Sequence, residues 1–223
     1  MIQFTTVRGE FGWMSNMSDH SITQENKVFP RAEHWFICSR FGFNPEIVDL
    51  ICEDLNPISV KIKSKQILKN RPELLKVKML SEEDVDNMRK LIQMKVEQHP
   101  WMKWKLLETG NEIIYENVTN RVNINDSSLF WGATKICEDT PGTEIHWVGK
   151  NVLGTLWMEL RQKLFVNFFY DECKKSSDNG VQLFLRHIET GEIVQRSEVS
   201  DGEDLSSLLI KKIVNKYYQN DGN

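Results

Sequence analysis

The chain has 223 residues, of which 40% are hydrophobic and 27% are charged, with a formal net charge of −4. This length is enough for one large core with an appendage, and the composition is that of an ordinary soluble globular protein. The negative net charge argues against a generic nucleic-acid binder. No apolar run approaches the length of a membrane span, and the first residues do not form a secretory signal, so we expect a cytoplasmic protein without a membrane partner.

The cysteines and histidines predict neither a disulfide framework nor a metal site. The four cysteines are far apart and include no C-x-x-C pair, which is typical of reduced thiols in a cytoplasm. The five histidines are equally dispersed, without H-x-x-H or H-E-x-x-H. Because no ligand spacing is present, we predict no metal ion, and we expect no cofactor.

The first 110 residues predict a strand, a hairpin and then a run of helices. Ile2 to Phe4 is apolar and extended, and residues 22–29 suit a hairpin that turns near Glu25 and Asn26. From Pro30 onward the hydrophobic period changes to that of a helix. The predicted helices are 30–40, 45–53, 57–68 and 82–109, the last broken at Pro100.

The second half of the chain is less regular. Residues 112–118 read as a strand, and residues 119–149 are rich in Asn, Asp, Ser, Thr and Gly, which predicts a long irregular segment of the kind that is often functional. Residues 151–164 form a convincing amphipathic helix. Residues 181–199 then suggest a hairpin with Thr190-Gly191 at its turn, followed by a helix at 205–218.

The segment PRAEHWFICSRF, residues 30–41, places the carboxylate of Glu33 at the start of an apolar helix. Pro30 suits the first helical position, where its missing N–H costs nothing. A carboxylate there lies near the positive end of the helix dipole and close to the ring of Trp35. Glu33 is therefore either a surface residue that matches the dipole or a catalytic acid/base at the edge of a pocket. Taken alone, these residues favour the first reading.

Two further segments combine apolar positions with groups that could bind a ligand. Lys150 and Asn151 stand at a predicted helix N-terminus, where backbone N–H groups favour an anion, and Gly154 one turn later would allow a close approach. The alternative is an Asn N-cap with a packing glycine, which these residues alone favour. Trp131-Gly132 could stack a base, although an isolated Trp is more often a core residue.

A basic run lies between residues 61 and 78. It contains seven Lys or Arg residues and one acid, Glu73. Such a run could meet phosphate groups. It is more commonly a solvated face around short helices, and we favour that interpretation.

Five segments in order resemble the YbiA-like family, also called NADAR. They are FGWMSNMS, PRAEHWFICSRF, MKVEQHPWMKWKLLETG, FWG and GKNVLGTLWMELR, and the match that they define extends over residues 1 to about 165. The resemblance implies an α+β fold: a mainly helical single domain at 1–165 with a small antiparallel sheet. Residues 166–223 would be a C-terminal hairpin and helix extension of unknown role.

The same resemblance implies an N-glycoside hydrolase. The implied substrates are ribosylamine-type compounds, either early intermediates of riboflavin biosynthesis or ADP-ribose attached to guanine in nucleic acid. Glu33 takes the catalytic position. The substrate-binding positions carried over from the family motifs are Asn16, His34, Trp131, Gly132, Lys150, Asn151 and Gly154.

Some positions depart from the family pattern. Met17 replaces the usual Phe, residues 37–40 replace a polar run after the E-H pair, Leu80 stands where an aromatic is expected, and Asp126 is displaced from the W-G pair. We expect substrate preference to diverge at 37–40. The departures at Leu80 and before Trp131 also keep open an alternative, a module that binds ADP-ribose without cleaving it.

The chemistry itself allows two routes. Hydrolysis of an N-glycosidic bond passes through an oxocarbenium-like state, and Glu33 could supply negative charge near the anomeric carbon or activate water. Asn16, Lys150 and Asn151 would hold ribose and phosphate, with Trp131 against the base. In the second route a nearby lysine captures the open-chain aldehyde carbon. The residues do not distinguish these routes.

Overall fold

A computed structural model describes residues 1–136 and 146–175, with side-chain surroundings as far as residue 167. The chain divides into two compact units, Met1–Leu160 and Arg161–Asn223. The hairpin and helix expected within residues 181–218 lie outside the described residues. The α+β class is confirmed, since helices dominate the described part and strands are short. None of the described helices has the length and apolar character needed to cross a membrane.

The elements follow one another in a mixed order. The described helices are α1 Ala32–Arg40, α2 Pro45–Cys52, α3 Pro57–Asn70, α4 Glu82–Gln98, α5 Trp101–Glu108, α6 Asp126–Trp131 and α7 Val152–Lys175. The described strands are β1 Ile2–Phe4, β2 Ile22–Gln24, β3 Lys27–Phe29, β4 Ile114–Glu116, β5 Thr134–Ile136 and β6 His146–Val148.

The starts of α2 and α3 follow directly from their sequences. Asn44 and Asn56 each accept hydrogen bonds from two backbone N–H groups of the first turn, and Pro45 and Pro57 occupy the next position. This combination satisfies orphan donors while proline supplies a preset φ. The predicted helices 45–53 and 57–68 are therefore confirmed within two residues at each end.

Helix α1 begins later than Pro30. Arg31 has an extended backbone with φ −148° and ψ 162°, and the first helical residue is Ala32. The prediction that Pro30 opens the helix is wrong. Phe29, the residue before proline, is biased toward extended backbone and ends β3, and Arg31 is still extended. Glu33 nevertheless lies in the first turn.

The described strands form three separate two-stranded ladders. β2 and β3 pair antiparallel, with Glu25 and Asn26 at φ 48° and 66° in the turn, so the predicted hairpin is confirmed. β5 and β6 also pair antiparallel, with Thr134 opposite Val148. β1 and β4 pair in parallel, with Ile2 opposite Ile114. The single small antiparallel sheet that we expected is thus replaced by three ladders, one of them parallel.

The described parts of the segment 119–149, residues 119–136 and 146–149, are more ordered than their composition suggests. They contain α6, β5 and β6, so the expectation of an irregular segment is wrong for these parts. Asn125 and Ser128 explain the helix: the Asn125 side chain accepts from the Ser128 backbone N–H, and the Ser128 side chain accepts in return from the Asn125 backbone. Polar residues that looked like loop residues here form a capping box.

The core is built around α1. Its residues 32–39 are all buried, and α1 packs against α4, α2 and α3. From α4 the fully buried Leu91 and Ile92 join this core, and from α7 Leu156 and Trp157. The apolar helix predicted at 30–40 is therefore the central one, and its first turn carries Glu33.

Candidate active site

A cavity of about 320 Å³ lies beside the first turns of α1. Its walls come from the loop before β2, from α1, α3, α4 and α6, and from the end of β4. The lining residues are Ser15, Asn16, Met17, Glu33, Phe36, Ile37, Arg40, Phe41, Lys61, Ser64, Lys65, Leu68, Met79, Met88, Glu116, Arg121, Asn125, Ser127, Ser128, Trp131 and Leu153. The wall therefore combines an apolar part with two carboxylates and several cations.

Glu33 is part of this wall and is 8% exposed. Its backbone N–H donates to the carbonyl oxygen of Asn16 at 2.9 Å, which ties α1 to the loop before β2. Its Oε1 lies 3.4 Å from Nζ of Lys61, on α3. The N-terminal end of the helix dipole and this ammonium group both place positive potential beside the Glu33 side chain.

The apolar surface beside Glu33 is not the one that we expected. Trp35 is fully buried away from the cavity, and its Nε1 donates to Oε1 of Gln24 at 2.6 Å. Phe36 lies in the wall instead, with its ring edge-on to Trp131 at a centroid distance of 5.5 Å. The dry surface near the carboxylate thus comes from Phe36 and Trp131 because a one-residue step on a helix turns a side chain by about 100°.

Asn16 presents an unused acceptor. It is 8% exposed, and its Nδ2 lies 3.2 Å from Sδ of Met88. Its Oδ1 is buried and has no hydrogen-bond partner among the described residues. A buried amide oxygen without a donor is costly, so Asn16 is poised to accept a hydrogen bond from a ligand hydroxyl or N–H group.

Lys95 fixes the loop that carries Asn16. Its ammonium group is fully buried and donates to the carbonyl oxygens of Trp13 and Ser15 at 2.6 and 2.8 Å, and to Oγ of Ser18 at 2.8 Å. Burial lowers the pKa of Lys95 to about 7. Lys95 lies outside the cavity lining, so it acts on the site through the loop.

Glu116 is a second carboxylate in the wall, and the sequence did not single it out. Its side chain is 13% exposed, and Oε1 accepts from Nη2 of Arg121 at 2.6 Å. Oε2 is buried and has no partner among the described residues. Burial raises the pKa of Glu116, and the negative charge of Glu33 raises it further. The positive charges of Arg121 and Lys61 lower it. The sequence signal that could have indicated Glu116 is its position as a carboxylate at the end of the apolar strand β4.

Arg40 joins the site through a different ion pair. Its guanidinium donates to both carboxylate oxygens of Asp84 at 2.8 Å each, and Asp84 is fully buried. Its charge also lies 4.3 Å from the centre of the Phe36 ring. Ile37 and Arg40 both line the cavity, so two of the four positions at 37–40 belong to its wall.

The other departures from the family pattern also meet the cavity. Met17 lies in the wall, and Met79 does so rather than its neighbour Leu80. Leu80 instead donates its backbone N–H to Oδ2 of Asp84 at 2.8 Å. Before Trp131, the wall is formed by Asn125, Ser127 and Ser128, whereas Asp126 lies outside it. The polar side chains that α6 and its N-cap contribute to the cavity wall are therefore uncharged.

Glu33, Asn16 and Trp131 are the predicted site residues that the structure brings together. Five others lie outside the cavity lining: His34, Gly132, Lys150, Asn151 and Gly154. His34 is fully buried, with Nε2 2.7 Å from the carbonyl oxygen of Asp54. Burial lowers its pKa.

The closing motif is used for packing between α7 and β4. Asn151 donates from Nδ2 to the carbonyl oxygen of Ile114 at 2.8 Å and accepts at Oδ1 from the N–H of Glu116 at 3.0 Å. A Cβ on Gly154 would lie 2.2 Å from the same Ile114 oxygen. Lys150 is exposed, with its Nζ 5.2 Å from the ring centre of Phe130.

Gly132 has the same packing role at α6. A Cβ there would lie 2.5 Å from the carbonyl oxygen of Glu116. In the W-G pair, Trp131 therefore lines the cavity, and Gly132 lets the chain pass close to β4.

The basic run divides into paired cations and cations at the cavity. Lys61 and Lys65, one turn apart on α3, belong to the lining. Lys63 instead pairs with Asp54 at 2.9 Å, and Arg71 with Glu46 at 2.8 Å. Lys65 is exposed and the Lys61 side chain is 45% exposed, which agrees with a solvated face, and the helical period also turns both side chains toward the cavity. In residues 1–136 and 146–175, no group of three His, Cys, Asp or Glu side chains could hold a metal ion.

Comparisons with known proteins agree with this architecture. N-glycosidase YbiA of Escherichia coli strain K12 is 26% identical over 166 residues, which are 74% of this chain and 89% of that protein. The proteins of the same name from Shigella boydii serotype 4 and Shigella sonnei show the same identity and coverage. The NMR structure of E. coli YbiA aligns with a TM-score of 0.56 at 26% identity, over 74% of this chain and 85% of that one.

The family comparison covers the whole part of the chain that forms the cavity. Residues 3–165 match the NADAR domain, and this stretch includes every residue of the cavity wall. It also includes the five segments that suggested the family from sequence. The chain belongs to the NADAR domain family.

Proposed function

We propose that this protein is an N-glycoside hydrolase that cleaves ribosylamine-type compounds. The observation that carries the proposal is the position of Glu33, which is buried in the wall of a cavity that Phe36 also lines, with its Oε1 3.4 Å from the ammonium nitrogen of Lys61. Membership of the NADAR family and the relatives named N-glycosidase support the same reaction class. The candidate substrates are early intermediates of riboflavin biosynthesis and ADP-ribose attached to guanine in nucleic acid.

Glu33 has the surroundings that this reaction needs. Cleavage of an N-glycosidic bond develops positive charge at the anomeric carbon, and a carboxylate near that carbon stabilises the transition state. Glu33 either provides this charge directly or accepts a proton from the attacking water. The dry surface of Phe36 strengthens either effect because charges interact more strongly where water is excluded.

The remaining wall suggests how the substrate is held. The unpartnered Oδ1 of Asn16 suits a ribose hydroxyl. Lys65, exposed at the rim, can meet a phosphate, and the edge of Trp131 can contact the base. These positions replace Lys150 and Asn151 as our proposed phosphate contacts, since neither lines the cavity.

A product assay tests the proposal. Wild-type protein, Glu33→Gln and the exposed control Glu10→Gln are incubated with an ADP-ribosyl-guanine oligonucleotide and, separately, with an early riboflavin intermediate. We expect free base or amine to be released by wild type and Glu10→Gln, and the rate to fall by roughly 10²- to 10⁴-fold in Glu33→Gln. Wild-type turnover by a folded Glu33→Gln variant would contradict the catalytic role.

The same assay separates cleavage from simple binding. If free ADP-ribose binds to the protein but neither substrate is cleaved, the protein is a binding module and the hydrolase proposal is wrong. Borohydride treatment during turnover tests the lysine route, because a Schiff base on Lys61 or Lys65 would be trapped as a stable amine.

Salt dependence addresses the size of the substrate. Lys61 and Lys65 would favour a substrate that carries a nucleic-acid backbone. Affinity for the ADP-ribosylated oligonucleotide should then fall as salt rises, and Lys65→Gln should reduce the slope. The absence of measurable oligonucleotide binding at low salt would leave the small riboflavin intermediate as the substrate class.

A further inference from the structure

We propose that Glu116 is a second catalytic residue of this site and that its carboxyl group protonates the leaving nitrogen while Glu33 acts on the water. This inference rests on the proposed hydrolase function. Two observations on Glu116 support it: the residue lines the cavity, and its Oε2 is buried without a hydrogen-bond partner within residues 1–136 and 146–175.

The carboxyl group of Glu116 is not needed to hold the strand. The backbone of this residue does that, since its N–H donates to Asn151 Oδ1 at 3.0 Å and its carbonyl oxygen accepts from the Ala133 N–H at 2.9 Å. Its side-chain partner Arg121 is 40% exposed and contacts only the other oxygen, Oε1. A buried carboxylate oxygen without a partner among the described residues is uncommon in folded proteins and calls for an explanation.

The charges that face Glu116 come from three elements. Arg121 contacts Oε1 from the segment after β4, Lys61 acts from α3, and Glu33 acts from α1. Burial and Glu33 favour the neutral acid, whereas the two cations favour the ionised form. Burial has the largest effect and raises the pKa, so the group can hold a proton at a higher pH than an exposed glutamate.

Two carboxyl groups in one cavity can divide the reaction between them. Glu33 lies in a helix first turn with its Oε1 3.4 Å from the Lys61 ammonium nitrogen, whereas burial raises the pKa of Glu116. Environments that separate two carboxyl groups in this way are typical of a general base and a general acid.

The step balances without any further reactant. The bond between the anomeric carbon and the nitrogen breaks, and its electron pair goes to the nitrogen, which takes the proton from Glu116. Water attacks the anomeric carbon and gives a proton to Glu33. The products are the free sugar hydroxyl and the free base or amine, and the proton on Glu33 returns to Glu116 through solvent.

The pH profile of turnover provides the test. Wild type, Glu116→Gln, Arg121→Gln and the exposed control Glu10→Gln are assayed between pH 5 and pH 10 (roughly the range in which a raised carboxyl pKa is visible). The substrate is whichever of the ADP-ribosyl-guanine oligonucleotide and the early riboflavin intermediate the wild type cleaves. Thermal unfolding of each variant confirms that it is folded.

We expect Glu116→Gln to lose roughly 10²- to 10⁴-fold in kcat with a small change in KM, and to lose the fall in kcat/KM on the alkaline side. Arg121→Gln removes a cation that favours the ionised acid, so its alkaline limb should move to higher pH. Because Arg121 is partly exposed, this second variant keeps the test decisive if Glu116→Gln does not fold.

The outcomes separate the two proposals. If wild type is active and Glu116→Gln keeps its kcat and its alkaline limb, the role of Glu116 is wrong and the hydrolase function stands. An alkaline limb that does not move in Arg121→Gln also contradicts that role. If wild type releases no base or amine from either substrate, the proposed function fails, and the role of Glu116 fails with it.

Discussion

The side chain of Asn151 holds the backbone of Glu116 in the cavity wall. Oδ1 accepts from the Glu116 N–H at 3.0 Å, and Nδ2 donates to the Ile114 carbonyl oxygen at 2.8 Å. Asn151 is 6% exposed and has φ 51°, a conformation that Asn tolerates better than most residues. One buried amide therefore joins the start of α7 to the strand that carries the second carboxylate.

Asn151→Asp should destabilise the protein by about 2 kcal/mol or more, because the new carboxylate cannot donate to Ile114 and is buried. Urea unfolding measures this change. Asn26→Asp is the matched control, since Asn26 has φ 66° and is exposed, and it should change stability by less than about 0.5 kcal/mol. Equal effects of the two substitutions would show that the bridge to β4 contributes little.

Lys95→Met should destabilise the protein by an amount that grows with pH. The pKa of Lys95 is about 7 in the folded state and near 10.5 when exposed, so the unfolded chain binds more protons between these values. The stability of wild type therefore rises with pH over this window, by at most about 1.4 kcal/mol per pH unit, and the variant lacks this gain.

Urea unfolding at pH 6, 7.5 and 9 (values spanning roughly that window) checks the Lys95 prediction. Lys90→Met, on the exposed face of the same helix, should show no such trend. The variant should also weaken substrate binding, because the Trp13 and Ser15 carbonyl oxygens lose their donor and the loop that carries Asn16 loosens. A pH-independent difference would contradict the lowered pKa.

Asp84→Asn should cost about 3 to 5 kcal/mol of stability, because it leaves the Arg40 guanidinium without a charged partner beside a fully buried site. Asp86→Asn is two residues away on the same helix and breaks only an exposed pair with Arg89. Its cost should be at most about 1 kcal/mol. Chemical denaturation of both variants gives the comparison, and a small effect at Asp84 would show that the buried pair can be replaced.

Gly154→Ala should lower the midpoint of thermal unfolding and destabilise the protein by about 1 to 3 kcal/mol, since the new methyl group would lie 2.2 Å from the Ile114 carbonyl oxygen. Gly9→Ala meets nothing closer than 3.9 Å and should be nearly neutral. A stable Gly154→Ala protein would mean that α7 can move away from β4 without loss.

Local sequence signals were sufficient for most of the fold. Asn44 and Asn56 with the prolines after them start α2 and α3, and the Glu25-Asn26 turn closes the β2–β3 hairpin. These signals act within a few residues and therefore survive in any context. Helix α6 was missed because its capping residues Asn125 and Ser128 have the composition of a loop.

The cavity could be predicted only in part because its wall is assembled from distant segments. Glu33, Asn16 and Trp131 belong to family motifs and were found, whereas Glu116 belongs to none of the five segments. Its proposed role depends on burial and on an Oε2 atom that has no partner in the described part of the chain, and neither property is local to its own strand.

The sequence by itself determined the family, the α+β class and the apolar helix that begins with Glu33, because periodicity, caps and ordered motifs are properties of the chain. The tertiary structure alone decided which polar groups face one another. It turned Lys61 and Lys65 toward the cavity and bound Asn151 to β4. It also placed Glu116 in the same cavity wall as Glu33, with one oxygen that has no partner among the described residues. Such pairings depend on long-range packing, which sets burial and therefore the charge of each group.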